Sequence, residues 1–194
     1  DALGFSREQW EKAYRTLVLD PMALIDTYGL DQFRYFLLRE VPYGQDGSYS
    51  AESMTARVNA DLANEFGNLA QRTLSMIGKY FDGAVPTPGA YTDADSEILD
   101  ATSELLPRVR ENFDVQAIHL GLEALWSVLA QTNRYISAQE PWKLAKTDLD
   151  RTGTVLYVCA EVVRVVALLA QPVMPTSCNA LLDLLAVGDD REFT

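Results

Sequence analysis

The stretch from Asn133 to Lys146 concentrates side chains that can do chemistry. It holds an amide at Asn133, cations at Arg134, Lys143 and Lys146, and an indole at Trp142 directly after Pro141. A large flat ring beside a bend, surrounded by positive charge, suits stacking on an unpaired nucleic-acid base. A second pair, Asn68 and Arg72, lies four residues apart in a helical pattern and so shares a face. An amide and a guanidinium projecting together can hydrogen-bond base edges or a phosphate. Each feature also has a structural use. An indole after a proline turn can anchor a core, an amide–guanidinium pair is ordinary helix surface, and Asn133 and Arg134 suit the last turn of a helix.

Other chemistries find little support. No glycine-rich phosphate loop, GxSxG or HExxH occurs in the 194 residues. The single histidine, His119, sits between apolar neighbours in a helical pattern, and no two carboxylates form a pair flanked by apolar residues. Cys159 and Cys178 lie far apart in apolar surroundings with no CxxC spacing, which favours buried reduced thiols over a zinc site. No catalytic residue and no metal ligand is therefore expected. The first five residues carry no basic stretch followed by an apolar run, so no signal peptide is expected. The most apolar window, residues 154–170, is shorter than the ~20 residues of a membrane span. Glu161 and Arg164 interrupt it, so it reads as a buried helix and no membrane partner is expected.

The net charge of −12 argues against a broad phosphate-binding surface. Its distribution leaves room for a local one. Residues 57–80 carry Arg57, Arg72 and Lys79 against Asp61 and Glu65, and residues 131–146 carry Arg134, Lys143 and Lys146 against Glu140. These two stretches are slightly basic in an otherwise acidic chain, the charge map of a confined contact.

Helical periodicity and punctuation define the elements that must position these residues. Ser6 and Gln9 suggest a capping box opening a helix over residues 7–18, and Asp20-Pro21 opens a second that ends near Gly29. Asp31 can open a third, through Leu38, before a turn-rich loop at residues 41–48. A long helix is predicted from Ser50 to about Tyr80, with Val58, Leu62, Phe66, Leu69, Leu74, Ile77 and Phe81 at helical spacing. Thr92 and Asp95 open the next helix, in which Pro107 suggests a kink. Asp114 opens another that ends near Ala138, the apolar helix follows around residues 154–170, and Thr176 caps a last one closed by Gly188. The expected fold is all-α, an antiparallel helix bundle preceded by short helices.

Several blocks then resemble one family. Residues 20–40, from Asp20-Pro21-Met22 through Arg34-Tyr35-Phe36-Leu37-Leu38-Arg39-Glu40, resemble the segment that follows the second ATP-site signature of bacterial methionyl-tRNA synthetases, and Pro42-Tyr43-Gly44-Gln45-Asp46-Gly47 continues the likeness. Residues 59–69 resemble the start of that family's anticodon-binding bundle, of the class I synthetase type, and Lys79-Tyr80-Phe81-Asp82-Gly83 resembles the end of the same helix. Asn133-Arg134-Tyr135 and Pro141-Trp142 resemble its anticodon-facing corner.

The resemblance implies roles at these positions. Trp142 would stack on the first anticodon base, a cytosine, with Pro141 setting its angle. Asn68 and Arg72 would contact the anticodon, and Asn133 would help hold the unstacked loop. Arg34, Arg39, Arg134, Lys143 and Lys146 would add phosphate contacts. The implied partners are the anticodon loop of methionine tRNA and the catalytic domain of a methionyl-tRNA synthetase. The implied location is cytoplasmic. ATP would serve the full enzyme, and no cofactor is expected in this chain.

The HIGH-type and KMSKS-type motifs and the cysteine zinc knuckle of that family do not occur here, so the chain by itself is not expected to activate methionine. Residues 1–18 do not match what should precede Asp20 and read as a different helix. The expected organisation is therefore residues 1–18 as an unmatched N-terminal helix, 19–49 as a connecting segment and 50–194 as an anticodon-binding bundle. The rival readings are a free-standing scaffold or protein-interaction domain derived from the bundle, and a tRNA-sensing regulator.

Overall fold

The computed structural model describes residues 6–7, 20–188 and 191, and no strand occurs among them. Apart from its first residue, the helix expected over residues 7–18 lies outside the described residues.

Helix α1 (Pro21–Tyr28) begins as its sequence predicts. The Asp20 carboxylate accepts the Met22 N–H at 2.9 Å, and Pro21 fills the first turn, where a missing N–H costs nothing. Helix α2 (Leu30–Glu40) follows Gly29, whose φ of 95° belongs to glycine. Asp31 does not cap it. The Asp31 side chain is buried and accepts the Ser177 N–H at 2.6 Å, in the first turn of the last helix, α10 (Pro175–Leu184). Orphan N–H groups at a helix start need an acceptor from any source, and here another helix supplies it in place of Thr176.

The long helix predicted over residues 50–80 forms as a continuous rod in three parts. Helix α3 (Ala51–Arg57) is capped by Ser50, and helix α4 (Asn68–Tyr80) ends the rod. Between them residues Val58–Gly67 are π-helical, with wider turns closed five residues back, so that the Asn68 N–H bonds the Ala63 carbonyl. Gly67 suits this geometry: a Cβ there would lie 2.9 Å from the Leu62 carbonyl oxygen.

Helix α5 (Asp93–Ser103) opens with the predicted Thr92/Asp95 box, in which Asp95 accepts the Thr92 N–H at 2.7 Å. The break before α6 (Leu105–Asp114) falls at Glu104, leaving Pro107 in the first turn of α6, where a proline is tolerated. Asp114 ends α6 and does not open the next helix. Helix α7 (Ile118–Gln139) starts after Gln116, which is left-handed at φ 61°. A single turn, α8 (Pro141–Leu144), leads to α9 (Leu149–Ala170). Asp148 accepts the Arg151 N–H at 2.8 Å and so starts α9 earlier than its apolar run suggested.

Helix α9 is the axis of the bundle. Val155, Val158, Cys159, Val162, Val166 and Ala167 on it are almost completely buried. It runs antiparallel to α7, since Gln139 at the end of α7 meets Arg151 near the start of α9. It also runs antiparallel to α4, whose Ile77 clusters with Leu156 and Ala160 while Phe81 approaches Gly153. By length and composition α9 could cross a membrane. It is 78% buried over its most apolar window, the pattern of a core helix.

Candidate nucleic-acid interface

Trp142 is presented by local backbone geometry. Helix α7 stops at Gln139, and Glu140 is left-handed at φ 47° and ψ 54°, which turns the chain sharply. A non-glycine residue there costs about 1 kcal/mol, so the surroundings must hold it. Buried Pro141 starts α8, and partly buried Leu144 packs against the core. The Trp142 side of that single turn therefore looks outward, and the residue is 36% exposed.

Arg72 meets this ring. Its guanidinium carbon lies 5.4 Å from the Trp142 ring centre, a cation–π contact worth about 0.5–1 kcal/mol at an exposed position. The contact lightly covers one ring face and orients the indole. Asn68, one turn earlier on α4, is exposed and makes no side-chain hydrogen bond among the described residues. Two residues singled out from different parts of the sequence, Arg72 and Trp142, are thus in contact, and Asn68 stands one turn before Arg72 on the same helix.

Asn133 has a more internal position than its predicted role required. Its Nδ2 donates to the Glu65 backbone carbonyl and to Glu65 Oε2, both at 3.0 Å. Both amide hydrogens are thereby committed to the protein, and only Oδ1 remains to meet a ligand. Asn133 staples α7 to the π-helical segment three residues before Asn68. A second staple lies two turns away, where Trp126 Nε1–H donates to the Asp61 carbonyl at 2.9 Å.

The five cations divide. Arg134 and Lys146 are exposed and form no ion pair among the described residues. Arg134 lines a cavity of about 260 Å³ between α5 and α7, together with Glu97, Gln131 and Gln139. Lys143 pairs with Glu140 at 2.6 Å within the corner and remains accessible. Arg34 and Arg39 lie elsewhere, away from this corner. Arg34 donates to the Val173 and Pro172 carbonyls at 2.8 and 2.7 Å, beyond the C-terminal end of α9. The corner precedes the N-terminal end of α9, and 22 helical residues span about 33 Å. Arg39 is mostly buried and faces Glu123, near the start of α7.

Sequence reading missed the polar cluster beneath the corner. The Asp95 carboxylate is fully buried and takes a forked contact from Arg151, at 2.6 and 2.8 Å. It also accepts the Tyr135 hydroxyl and the Thr92 N–H. Burial by itself raises the pKa of such a carboxyl, but the bonds from Arg151, Tyr135 and Thr92 outweigh it and hold Asp95 down at about 2. The same cluster pushes the Tyr135 hydroxyl well above its ordinary value, through burial first and the Asp95 bond second. Arg151 reaches on to Gln139 Oε1 at 2.9 Å. In the sequence Asp95 shows only its capping role, because nothing local reveals that α7 and α9 converge on it.

Comparisons with known proteins identify the family and the fold. Residues 85–194 match the family model described as the anticodon binding domain of methionyl tRNA ligase, and residues 8–74 match that of class I tRNA synthetases (M). The second match begins at residue 8, so it reaches into the stretch expected from the sequence to lie outside the family likeness. Methionine–tRNA ligase of Brucella suis is 54% identical over 195 residues, covering 99% of this chain and 38% of that protein. The Mycobacterium leprae enzyme is 52% identical over 200 residues, covering 100% of this chain and 37% of its own length. The crystal structure of Mycobacterium tuberculosis methionyl-tRNA synthetase bound by methionyl-adenylate superposes with a TM-score of 0.88 at 54% identity, over 90% of this chain and 35% of that one. The chain thus spans little more than a third of the length of these relatives. An all-α bundle with an outward indole at its corner, matched over more than half its residues by one family model, belongs to the anticodon-binding domains of the methionyl-tRNA ligases.

Proposed function

We propose that this chain recognises the CAU anticodon of methionine tRNA, as part of a longer methionyl-tRNA synthetase whose remainder ligates methionine to that tRNA with ATP. The observation that carries the reading is Arg72 lying over the partly exposed Trp142 ring, at a corner with few competing uses. An unstacked cytosine lies against the indole, and stacking contributes about 1–3 kcal/mol. Arg72 and Asn68 hydrogen-bond the exposed Watson–Crick edges, which carry the sequence information in a single-stranded loop. Arg134, Lys143 and Lys146 meet phosphates and add affinity without specificity. Asn133 acts by holding the π-helical segment, and through it Asn68, in place. The catalytic domain is the second partner, and the cytoplasm, where translation runs, is the location that goes with the reading.

Titration with a CAU anticodon stem-loop, and with one whose first anticodon base is altered, tests this at a fixed salt concentration. Trp142→Ala should weaken the cognate complex about tenfold, equivalent to ~1.4 kcal/mol, and leave the altered loop unchanged. Equal, weak binding of both loops by the parent chain would refute the reading and favour a scaffold derived from the bundle.

A further inference from the structure

The corner that carries Trp142 is a short excursion, residues 140–148, between two long helices. It needs a fixed base, because a one-turn helix does not hold its own orientation. At that base a side-chain bridge, Arg151 to Gln139 at 2.9 Å, joins the first turn of α9 to the last residue of α7. Arg151 is itself held by the forked contact to Asp95, and Tyr135, one turn before Gln139, donates to the same carboxylate. Asp95 thus ties both helices that flank the corner to α5, a helix that contributes no residue to the interface. With 0% exposure Asp95 cannot touch an RNA loop.

We propose that Asp95 is a positioning residue for anticodon recognition: through Arg151, Tyr135 and Gln139 it fixes the base of the corner, and so the place and tilt at which Trp142 meets a base. The proposal rests on the reading given under Proposed function. It assigns to α5 a role at the interface exerted from behind.

A residue that acts through Trp142 must lose its effect when Trp142 is gone, whereas a general loss of structure adds to any other defect. The test is a double-mutant cycle on the full chain, with Asp95→Asn and Trp142→Ala and the CAU stem-loop as probe. In Asp95→Asn an amide N–H would face the Arg151 donors, and the fork would be lost. Asp95→Asn should weaken binding roughly five- to tenfold in the parent and less than twofold in the Trp142→Ala background. Gln139→Ala, which removes only the bridge and leaves the buried carboxylate intact, should show the same pattern with a smaller loss, about threefold. It serves if Asp95→Asn does not fold. Equal losses in both backgrounds, or parental affinity in both folded variants, would overturn the proposal. Parental affinity of Trp142→Ala alone would instead strike the underlying reading, and the proposal would fall with it.

Discussion

Replacing Gly67 with alanine sets two opposed effects against each other at one position. In an ordinary exposed helix interior, glycine to alanine stabilises by about 0.5–1 kcal/mol, because alanine loses less backbone entropy on folding. Gly67 is exposed and sits in the middle of a helical rod, so propensity predicts a gain. The π turn predicts a loss. The added Cβ would lie 2.9 Å from the Leu62 carbonyl oxygen, roughly 0.5 Å inside ordinary contact. That oxygen is backbone and cannot swing aside, so relief needs a backbone shift, at a cost of about 1–3 kcal/mol. A collapse of the segment to α geometry would also disturb the Asn133–Glu65 and Trp126–Asp61 bonds, at about 1 kcal/mol each. Gly67→Ala should therefore be net destabilising by ~1–2 kcal/mol. Gly78→Ala provides the internal control: it lies on α4, is exposed, and has nothing within 4 Å of its Cβ position. It should stabilise by about 0.5–1 kcal/mol. Urea unfolding of both variants beside the parent gives the comparison, and thermal midpoints should part by several degrees for a domain of this size. Equal stabilisation by both substitutions would show that residues 58–67 carry no π-specific constraint, and would remove the account of how Asn68 is seated.

Three further outcomes follow from buried polar and thiol groups. The Asp95 carboxyl is held at about 2, below its usual value of 3.8, so its contribution to stability is complete above about pH 4 and is lost as pH falls through 2. That contribution is about 2 kcal/mol, and urea midpoints between pH 5 and pH 2.5 should fall more steeply for the parent than for Asp95→Asn. Burial pushes the Cys159 and Cys178 thiols up to about 12, so neither should react with an aromatic disulfide at about pH 8 until denaturant opens the bundle; fast labelling of the folded chain would contradict their placement. Asn133→Asp would set a carboxylate against the carbonyl and carboxylate of Glu65, and should lower the urea unfolding free energy by about 1–3 kcal/mol while Asn133→Ala costs less.

Much of the bundle could be read from the chain because its determinants are local. The Asp20-Pro21 start, the Thr92/Asp95 box and the apolar spacing of residues 58–81 are each set within a turn or two, and the helices begin or run where those signals stand. The corner too is announced locally, by Glu140-Pro141-Trp142 after a helix end. Tertiary structure alone decided the rest. Asp31 carries the signal of a helix start, yet serves a helix 146 residues away, because a buried carboxylate goes to whichever unpaired N–H the packing brings near. Arg34 and Arg39 look identical in sequence to Arg134, yet packing turns them onto carbonyls and a carboxylate far from the corner. The π turn repeats apolar residues closely enough to pass for α, and Asp95 becomes the hub of the corner only once α5, α7 and α9 meet around it. Residue type and spacing determine which chemistry a chain can offer. Which groups face the ligand, and which are consumed in holding the others still, depends on contacts between residues that the chain keeps far apart.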